Sequence, residues 1–501
     1  METVGGSSNL VEELLFQNAL LSSKLEQLKI EIADLVKVVQ QLKRQLFGPK
    51  SEKLVVRDSS QLSLFGEEIV APELPTPAPI VVKAHTKAAR VKRDLSKLPH
   101  YPIVHEPVST ICSCCSGEMS KIGEDTSEEL EYQPAKLFVN LHIRPRYACT
   151  RCKQRVIQAL LPDSAKPLEK SIVGAGLLSQ IIVSKYVDHT PLHRQQQIFA
   201  RKGFEIPRRN QCAWIGGAVE RYLNQLWGVL REELIAESYL QGDETTLKVQ
   251  DNETAGKCHT GYLWGMYSTE KRLVLFEYAS SRAGASAERV FKGFRGTLQT
   301  DAYAGYNPLL LPEKVTRIAC LAHVRRKFID AGKSCEKETG VVLALIAELY
   351  RLERVWQGLS PPERTEKRAQ HSAPILLKLE RYLRDLSVHT MPKAPLMEAI
   401  NYTLNQWGQI VHIFSDGRFR LDNNPIEQEM RPIALGRKNY LFAGSHDGAE
   451  RAAIIYSLLG TARLHKVNPY DWLKYIFQNM QSHPANRLSE LLPHKWALRN
   501  A

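Results

Sequence analysis

Long apolar runs are missing from this chain of 501 residues. No apolar stretch reaches the roughly 18 residues that a membrane-spanning helix needs, so we expect no membrane partner. The first residues, METVGGSSNLVEELL, show no basic segment followed by an apolar one, and secretion is therefore not expected either. The sequence predicts a cytoplasmic protein.

Two common catalytic motifs are missing as well. There is no glycine-rich phosphate loop of the Walker type and no Gly-x-Ser-x-Gly sequence, which argues against an ATP-driven motor and against a serine hydrolase. Positive charge, in contrast, is in excess, because 67 Lys and Arg residues outnumber 54 Asp and Glu residues and give a formal net charge of +13. This balance favours a polyanionic partner, although ribosomal and membrane-surface proteins share it.

The clearest periodicity lies in residues 10–47. Two series of mostly apolar residues each recur at seven-residue spacing: Leu14, Leu21, Leu28, Leu35 and Leu42, and Val11, Asn18, Leu25, Ile32, Val39 and Leu46. This a/d seam favours a coiled coil over an amphipathic helix in a globular core, and Asn18 at an a position favours a parallel dimer. We assign residues 1–48 to a dimerisation helix whose rod extends roughly 55 Å.

Residues 49–98 carry no periodicity. A Pro/Ala run, APELPTPAPI, and a basic run, KAHTKAARVKRDLSK, predict a flexible linker. Its Lys and Arg residues can follow DNA phosphates or simply keep a spacer solvated, and the sequence leaves both readings open.

A metal module is predicted at residues 99–157. Two Cys-x-x-Cys pairs, separated by a strand-like stretch, supply four thiolates at the spacing of tetrahedral zinc sites: Cys112, Cys115, Cys149 and Cys152. Disulfides are the alternative, but a chain without an export signal lies in a reducing compartment. Cys114 is left over, and we expect the remaining cysteines to be buried small apolar residues: Cys212, Cys258, Cys320 and Cys335.

Residues 158–235 have a helical pattern. Short helices flank the segment RKGFEIPRR, as in a helix-turn-helix arrangement whose basic residues meet DNA. A helical bundle with no DNA contact would give the same pattern, so the sequence alone does not separate the two.

Three acidic residues stand at the ends of predicted elements. Asp243 lies in QGDETTLKVQ, the first of three predicted strands, and Asp301 follows a fourth strand predicted at Leu298–Thr300. Glu427 lies in the first turn of a helix that begins near Asn424. Carboxylates from three separate elements can hold two divalent cations, Mg²⁺ or Mn²⁺, which suits phosphodiester cleavage. Taken singly, each acid is more often merely solvated.

Basic residues accompany these acids, as a site for phosphates requires. The DNA-binding candidates come from two segments, CLAHVRRKF and RPIALGRKN: Arg325, Arg326, Lys327, Arg431, Arg437 and Lys438. Cys320 and His323 in the first segment have the spacing of a metal pair, but packing and helix capping are the more frequent roles of such residues.

Four segments, GDETTLKV, TDAYAGY, CLAHVRRKF and LDNNPIEQEMRPIALGRKNYLFAGS, resemble the signature blocks of the transposases whose type member is insertion sequence sixty-six. That resemblance implies a ribonuclease-H-like fold and an Asp-Asp-Glu triad at Asp243, Asp301 and Glu427. It also implies a bacterial, nucleoid-associated protein that acts on double-stranded DNA. Gln428 and Leu321 depart from the family pattern, where Arg and Trp are usual, and neither is a proposed metal ligand.

We therefore expect a multidomain α+β protein. After the coiled coil, linker and zinc module come a helical DNA-binding region at 158–235, a catalytic domain at 236–460 with an all-helical insertion at 336–415, and a C-terminal helical tail at 461–501. The expected function is DNA transposition by a homodimer or higher oligomer, with accessory proteins of the same element as further partners. A domesticated DNA-binding regulator and a simple nuclease are the alternatives.

Overall fold

The computed structural model describes residues 136–144, 146–148, 156–158, 166–250, 256–309, 315–333 and 335–499. The coiled-coil segment, the linker and the four predicted zinc ligands lie outside these residues, so the predictions for them stay predictions. The chain divides into two compact units, residues 1–126 and 127–501, and every element described below belongs to the second. Its first strands, β1 (Arg146–Ala148) and β2 (Val156–Gln158), form a short antiparallel pair.

A group of helices precedes the main sheet, as the sequence predicts. In chain order they are α1 (Ala175–Tyr186), α2 (Leu192–Arg201), α3 (Arg208–Ala218) and α4 (Asn224–Ile235), with one π-helical turn, Val219–Leu223, joining the last two. Pro191 and Pro207 precede α2 and α3, where a missing N–H costs nothing. Between them Gly203 has φ +91°, a conformation that residues with a Cβ rarely adopt. Apolar side chains of all four helices join the main core.

A mixed five-stranded sheet forms the centre of this unit. Its strands are β3 (Tyr239–Gln250), β4 (Cys258–Ser268), β5 (Leu273–Ala279), β6 (Gly296–Gln299) and β7 (Val315–Ile318). Their order across the sheet is β5-β4-β3-β6-β7, in which β3, β4 and β5 are antiparallel neighbours and β6 and β7 run parallel to β3. A short helix, α5 (Gly284–Val290), links β5 to β6.

The predicted strands are confirmed, with two differences. The fourth strand ends at Gln299, so Thr300 lies just outside it. The fifth strand, Val315–Ile318, was not predicted.

Helices between β7 and residue 416 build a second core. They are α6 (Leu321–Ala331), α7 (Glu336–Val355), α8 (Pro361–Lys367), α9 (Ala373–His389), α10 (Pro395–Leu404) and α11 (Trp407–His412). Apolar side chains of these helices, except α8, which has no buried residue, pack with Tyr239 and Ile318 of the sheet. The buried guanidinium of Arg368 crosses this core, donating to both carboxylate oxygens of Glu353 at 2.7 and 2.8 Å and to the carbonyl of Ile413 at 3.0 Å.

Four helices complete the unit: α12 (Asn424–Tyr440), α13 (His446–Leu464), α14 (Pro469–Asn479) and α15 (Pro493–Arg499). Helix α13 packs on the sheet, since the Ser457 hydroxyl accepts a hydrogen bond from the Phe276 N–H of β5 at 2.7 Å. No helix in the part of the chain that the structure describes is long and apolar enough to cross a membrane.

Candidate active site

The register of two parallel strands brings Asp243 and Asp301 to one edge of the sheet. Gln241 of β3 lies opposite Gln299 of β6. Asp243 and Asp301 each follow two residues later, and side chains two residues apart on a strand share a face. The two acids therefore lie close together near the end of β6, and the negative charge of Asp301 contributes to the raised pKa of Asp243.

Helix α12 brings Glu427 to the same face. In β4, Gly265 pairs with Asp243, and a Cβ added at Gly265 would lie 2.9 Å from Ile426 Cδ1 and 3.0 Å from Met430 Cε of α12. Because Gly265 has no side chain, the helix approaches the strand closely at this point. Glu427 follows Ile426, in the first turn of the helix, and lies near Asp243.

The electrostatics of Asp243 reflect this crowding. Burial, the neighbouring Glu244 and the negative charges of Glu427 and Asp301 together raise the pKa of Asp243 to about 8. The Glu244 N–H donates to Asp243 Oδ1 at 2.9 Å and opposes the shift only in part. Three like charges held close together favour the neutral form of at least one of them unless a cation joins them.

Glu427 also lacks a full set of partners. Its Oε1 atom is buried without a hydrogen bond and lies 3.8 Å from Nε2 of His323, which is on α6. The other ring nitrogen of His323, Nδ1, is likewise buried without a hydrogen bond. A buried carboxylate oxygen with no donor is costly, so this atom is better suited to a cation or to a bound donor than to an empty site.

Two buried glutamines, Gln241 and Gln299, hold the segment before α12 against the acid-bearing strands; we call them the glutamine latch. Gln241 Nε2 donates to the carbonyl of Asp422 and to Gln299 Oε1, both at 2.9 Å. Gln299 Nε2 donates to the carbonyls of Ala319 and Arg420 at 2.9 and 2.8 Å. Each latch residue precedes its aspartate by two positions, so the same contacts that fix the strands also fix the start of α12.

Two other carboxylates near the site are neutralised. Glu244 points to the opposite face of β3, where Arg282 Nε donates to its Oε1 at 2.7 Å and the Tyr306 hydroxyl donates to its Oε2 at 2.6 Å. Glu429, two residues after Glu427, is buried against α13 in an ion pair with Arg463. Glu429 is therefore already paired with a cation, whereas Glu427 is not.

The donor set fits a divalent cation. Asp243, Asp301 and Glu427 are hard oxygen donors without a Lys or Arg ion pair among the described residues, and Glu427 Oε1 has no other partner. Within the same residues, no three His, Cys, Asp or Glu side chains already form a cluster that could hold a metal ion. Binding would therefore need the carboxylate side chains to move toward one another.

Comparisons with known proteins identify the family of this chain. The profile described as "Transposase IS66 family" matches residues 170–451, more than half of the chain. The chain belongs to the IS66 transposase family. Three further profiles of the family match: its zinc-finger binding domain at residues 109–153, its C-terminal element at 457–494, and "Transposase C of IS166 homeodomain" at 34–101.

Similar full-length chains occur in Sinorhizobium fredii. The uncharacterized protein y4jD is 35% identical over 501 residues, which covers 95% of this chain and 97% of y4jD. The uncharacterized protein y4hP is 31% identical over 497 residues, covering 92% of this chain and 88% of its own length. Membership of the IS66 family indicates a DNA-binding transposase, and the zinc-finger match supports bound zinc.

In this IS66 transposase the predicted basic residues do not all remain free. Arg325, Arg326 and Lys327 are exposed on α6, and Arg431 and Lys438 are exposed on α12. Arg437 instead donates to the carbonyl and, at 2.7 Å, to the hydroxyl of Thr246, and thereby ties α12 to β3. Its guanidinium has a structural role whether or not it also contacts DNA.

Sequence reasoning missed the glutamine latch and Arg317, and it considered His323 only as the partner of Cys320 in a metal pair. Arg317 Nη2 donates to the backbone carbonyl of Asp301 at 2.8 Å. The only available signal for the latch was the repeated pattern of a Gln two residues before each Asp.

The prediction for the four remaining cysteines is wrong in part, because Cys212 and Cys258 are exposed. Cys320 is buried as predicted, and burial raises the pKa of its thiol to about 12.

Proposed function

We propose that this IS66 transposase cleaves the ends of its mobile element and joins them to target DNA, using Asp243, Asp301 and Glu427 as its catalytic carboxylates. The observation that carries the proposal is the convergence of the three acids. The charges of Asp301 and Glu427 raise the pKa of Asp243, Glu427 Oε1 is buried without a hydrogen bond, and none of the three carboxylates forms a Lys or Arg ion pair among the described residues.

The sheet supports a ribonuclease-H-like core. Three antiparallel strands are followed by two parallel ones, and the order β5-β4-β3-β6-β7 places β3 at the centre. The first acid lies on that central strand, the second follows its parallel neighbour β6, and the third is on α12. The helices between β7 and α12 then form an insertion between the second and third acids.

The three carboxylates would hold Mg²⁺ or Mn²⁺. Such ions, when bound, activate a nucleophile and stabilise a leaving oxygen during phosphodiester exchange, which needs no nucleotide. The chain's own residues position the donors: the glutamine latch sets the start of α12 relative to β3 and β6, and Gly265 sets the closeness of the helix. His323 stands where it can restrict the rotation of the Glu427 carboxylate.

The remaining modules have supporting roles in the proposal. Cys112, Cys115, Cys149 and Cys152 are the proposed zinc ligands, inside the segment that matches the family's zinc-finger domain. The heptad seam of residues 10–47 is the proposed parallel dimer interface, and the protein would act at the nucleoid. Purified protein without zinc would contradict the first assignment, and a monomer by light scattering would contradict the second.

A strand-transfer assay tests the proposed activity. Full-length protein would be incubated with Mg²⁺, a target plasmid and labelled duplexes that carry candidate element ends with a free 3′ hydroxyl. We expect joined products that disappear with Asp243→Asn and persist with Glu244→Gln, since only the first removes a proposed metal ligand. Cleaved but never joined DNA would indicate a simple nuclease, and binding without either product would indicate a regulatory protein.

A further inference from the structure

A cleft separates the first halves of helices α2 and α3, far from the carboxylates in sequence. It has a volume of about 620 Å³, and its lining residues are His193, Gln196, Arg208, Arg209 and Cys212. The first two belong to α2 and the others to α3, so the positive ends of two helix dipoles border the same space.

Positive charge accumulates around this cleft. Five exposed cations lie on α2, α3 and the turn between them, and none has an ion pair within the part of the chain that the structure describes: Arg194, Arg201, Lys202, Arg208 and Arg209. The nearby Glu205 carboxylate is held by Gln196 Nε2 at 2.7 Å. Neither helix has an acidic residue in its first turn. Cations at a helix N-terminus are unfavourable by themselves, and an anion in the cleft would offset that cost.

The cleft is connected to the carboxylate site through α12. Helix α1 contacts α3, which carries Cys212, and the ammonium group of Lys185 on α1 lies 4.8 Å from the ring centroid of Tyr440. Tyr440 is the last residue of α12, 13 residues after Glu427, which corresponds to roughly 20 Å along the helix axis. That length equals roughly six base pairs of duplex DNA at about 3.4 Å per pair. The exposed Arg431 and Lys438 lie along the helix between these points.

We propose that the cleft between α2 and α3 binds the sugar–phosphate backbone of duplex DNA, and that the bound duplex continues along α12 to the carboxylates. This inference rests on the proposed function only for which duplex is bound, an element end or target DNA. The cleft itself contacts phosphates and does not take part in the reaction. Arg208 and Arg209 neutralise two phosphates, and His193 and Gln196 complete the floor of the cleft.

Duplex binding without metal tests the inference separately from the chemistry. Fluorescence anisotropy in EDTA would compare the full-length parent with Arg208→Gln/Arg209→Gln. The matched control is Lys378→Gln/Arg381→Gln, which removes two exposed charges from α9. Loss of two phosphate contacts should weaken binding roughly tenfold or more near physiological salt and lower the slope of log K against log salt by about 2. The control should bind like the parent.

Two exposed cysteines, Cys212 as the probe and Cys258 as its control, give a second measurement in the parent protein. Cys212 lines the cleft, whereas Cys258 is exposed at the start of β4. Saturating duplex should slow alkylation of Cys212 several-fold and leave Cys258 unchanged, as measured by mass spectrometry of the labelled peptides. Unchanged labelling of Cys212 in fully bound protein would overturn the inference, as would equal weakening of binding by the two double variants.

The two proposals fail in different ways. If the parent never joins DNA but the cleft variant loses affinity and salt dependence, the inference stands and the proposed activity fails. If the parent joins DNA while the cleft variant binds with parental affinity and slope, the activity stands and the inference fails. Protection of Cys212 by single-stranded RNA but not by duplex DNA would assign the cleft to another nucleic acid and overturn the inference.

Discussion

Two faces of strand β3 carry adjacent carboxylates with opposite environments. Glu244 has a side chain only 3% exposed, and Arg282 and Tyr306 satisfy both of its oxygens. Asp243, the preceding residue, receives a hydrogen bond from the Glu244 N–H and faces two further acids. Successive side chains of a strand point to opposite faces. Glu244 is therefore neutralised on one face of β3, while Asp243, the residue before it, remains available for a cation on the other.

Helix α12 repeats the contrast. Glu427 and Glu429 are two residues apart and so point in different directions around the helix. Glu429 pairs with Arg463 against α13, whereas Glu427 Oε1 is buried without a hydrogen bond. The acids that converge are thus the ones without cationic partners among the described residues. Repulsion between neighbouring carboxylates that no residue of the protein offsets is typical of a functional site, such as one that binds a cation.

The largest effect should come from substituting the unpaired acid of α12, Glu427, with the paired acid Glu429 as the comparison. We expect Glu427→Gln to lower strand-transfer activity by a factor of about 10³ or more, equivalent to about 4 kcal/mol of transition-state stabilisation, with duplex binding retained. Glu429→Gln should keep the parental rate and lose roughly 1–2 kcal/mol of unfolding free energy, because it leaves Arg463 half-exposed and unpaired. Rate assays and urea unfolding measure the two quantities.

The opposite pattern, an active Glu427→Gln and an inactive but folded Glu429→Gln, would place the third catalytic acid at Glu429. Loss of activity in both variants with equal loss of stability would mean that the helix, not a particular carboxylate, is what the reaction requires.

The glutamine latch should give the next largest effect. Gln299→Met keeps the side-chain length but leaves the buried carbonyls of Ala319 and Arg420 without their donor. We expect strand-transfer activity to fall roughly 10–100-fold, the range for groups that orient metal ligands, with part of the loss recovered at high Mg²⁺ concentration. The rate as a function of Mg²⁺ concentration measures this recovery.

Ser457→Ala is the matched control for the latch, since it removes a buried hydroxyl that binds α13 to β5 away from the site. It should lose comparable stability without a change in the Mg²⁺ dependence. If Gln299→Met lowers the rate by the same factor at every Mg²⁺ concentration, the latch does not act through the placement of the metal ligands.

The sequence predicted much of this arrangement. Alternation identified β3, β4 and β5, the position of Asp301 after a core strand was correct, and the Asn-rich start of α12 placed Glu427 in its first turn. These features depend on local pattern. The choice of Asp243 over Glu244 and of Glu427 over Glu429 came from the family resemblance and stays a prediction; the structure shows that Glu244 and Glu429 each pair with an arginine.

The rest depended on contacts between distant residues. Gln241 reads as an ordinary polar strand residue until Asp422, 181 positions later, is placed beside it. His323 meets Glu427 only because α6 and α12 pass the same strand end. The exposure of Cys212 likewise follows from the way α2 and α3 diverge, which no composition or spacing in either helix specifies.

The smallest expected effect concerns the cost of keeping Asp243 unpaired. Its pKa is about 8 in the folded protein against an ordinary value of 3.8. Since the folded value is the higher one, the folded state binds its proton more tightly than the unfolded state does. The contribution to stability is therefore fully present below about pH 4 and is lost as the pH rises toward 8.

Asp243→Asn removes this dependence. In EDTA, the unfolding free energy of the variant minus that of the parent should grow between pH 5 and pH 8 by roughly 1–3 kcal/mol, less than the full shift implies because Asp243 is only partly shielded from water. Urea unfolding of both proteins at each pH measures the difference, which cancels the other titrating groups they share. Saturating Mg²⁺ should stabilise the parent more than the variant at pH 8, because only the parent presents the ionised carboxylate to the cation. A difference that stays constant across this pH range would mean that Asp243 is already ionised at pH 5, so that the three acids do not repel one another in the folded protein and the contrast between the two faces of β3 is not electrostatic.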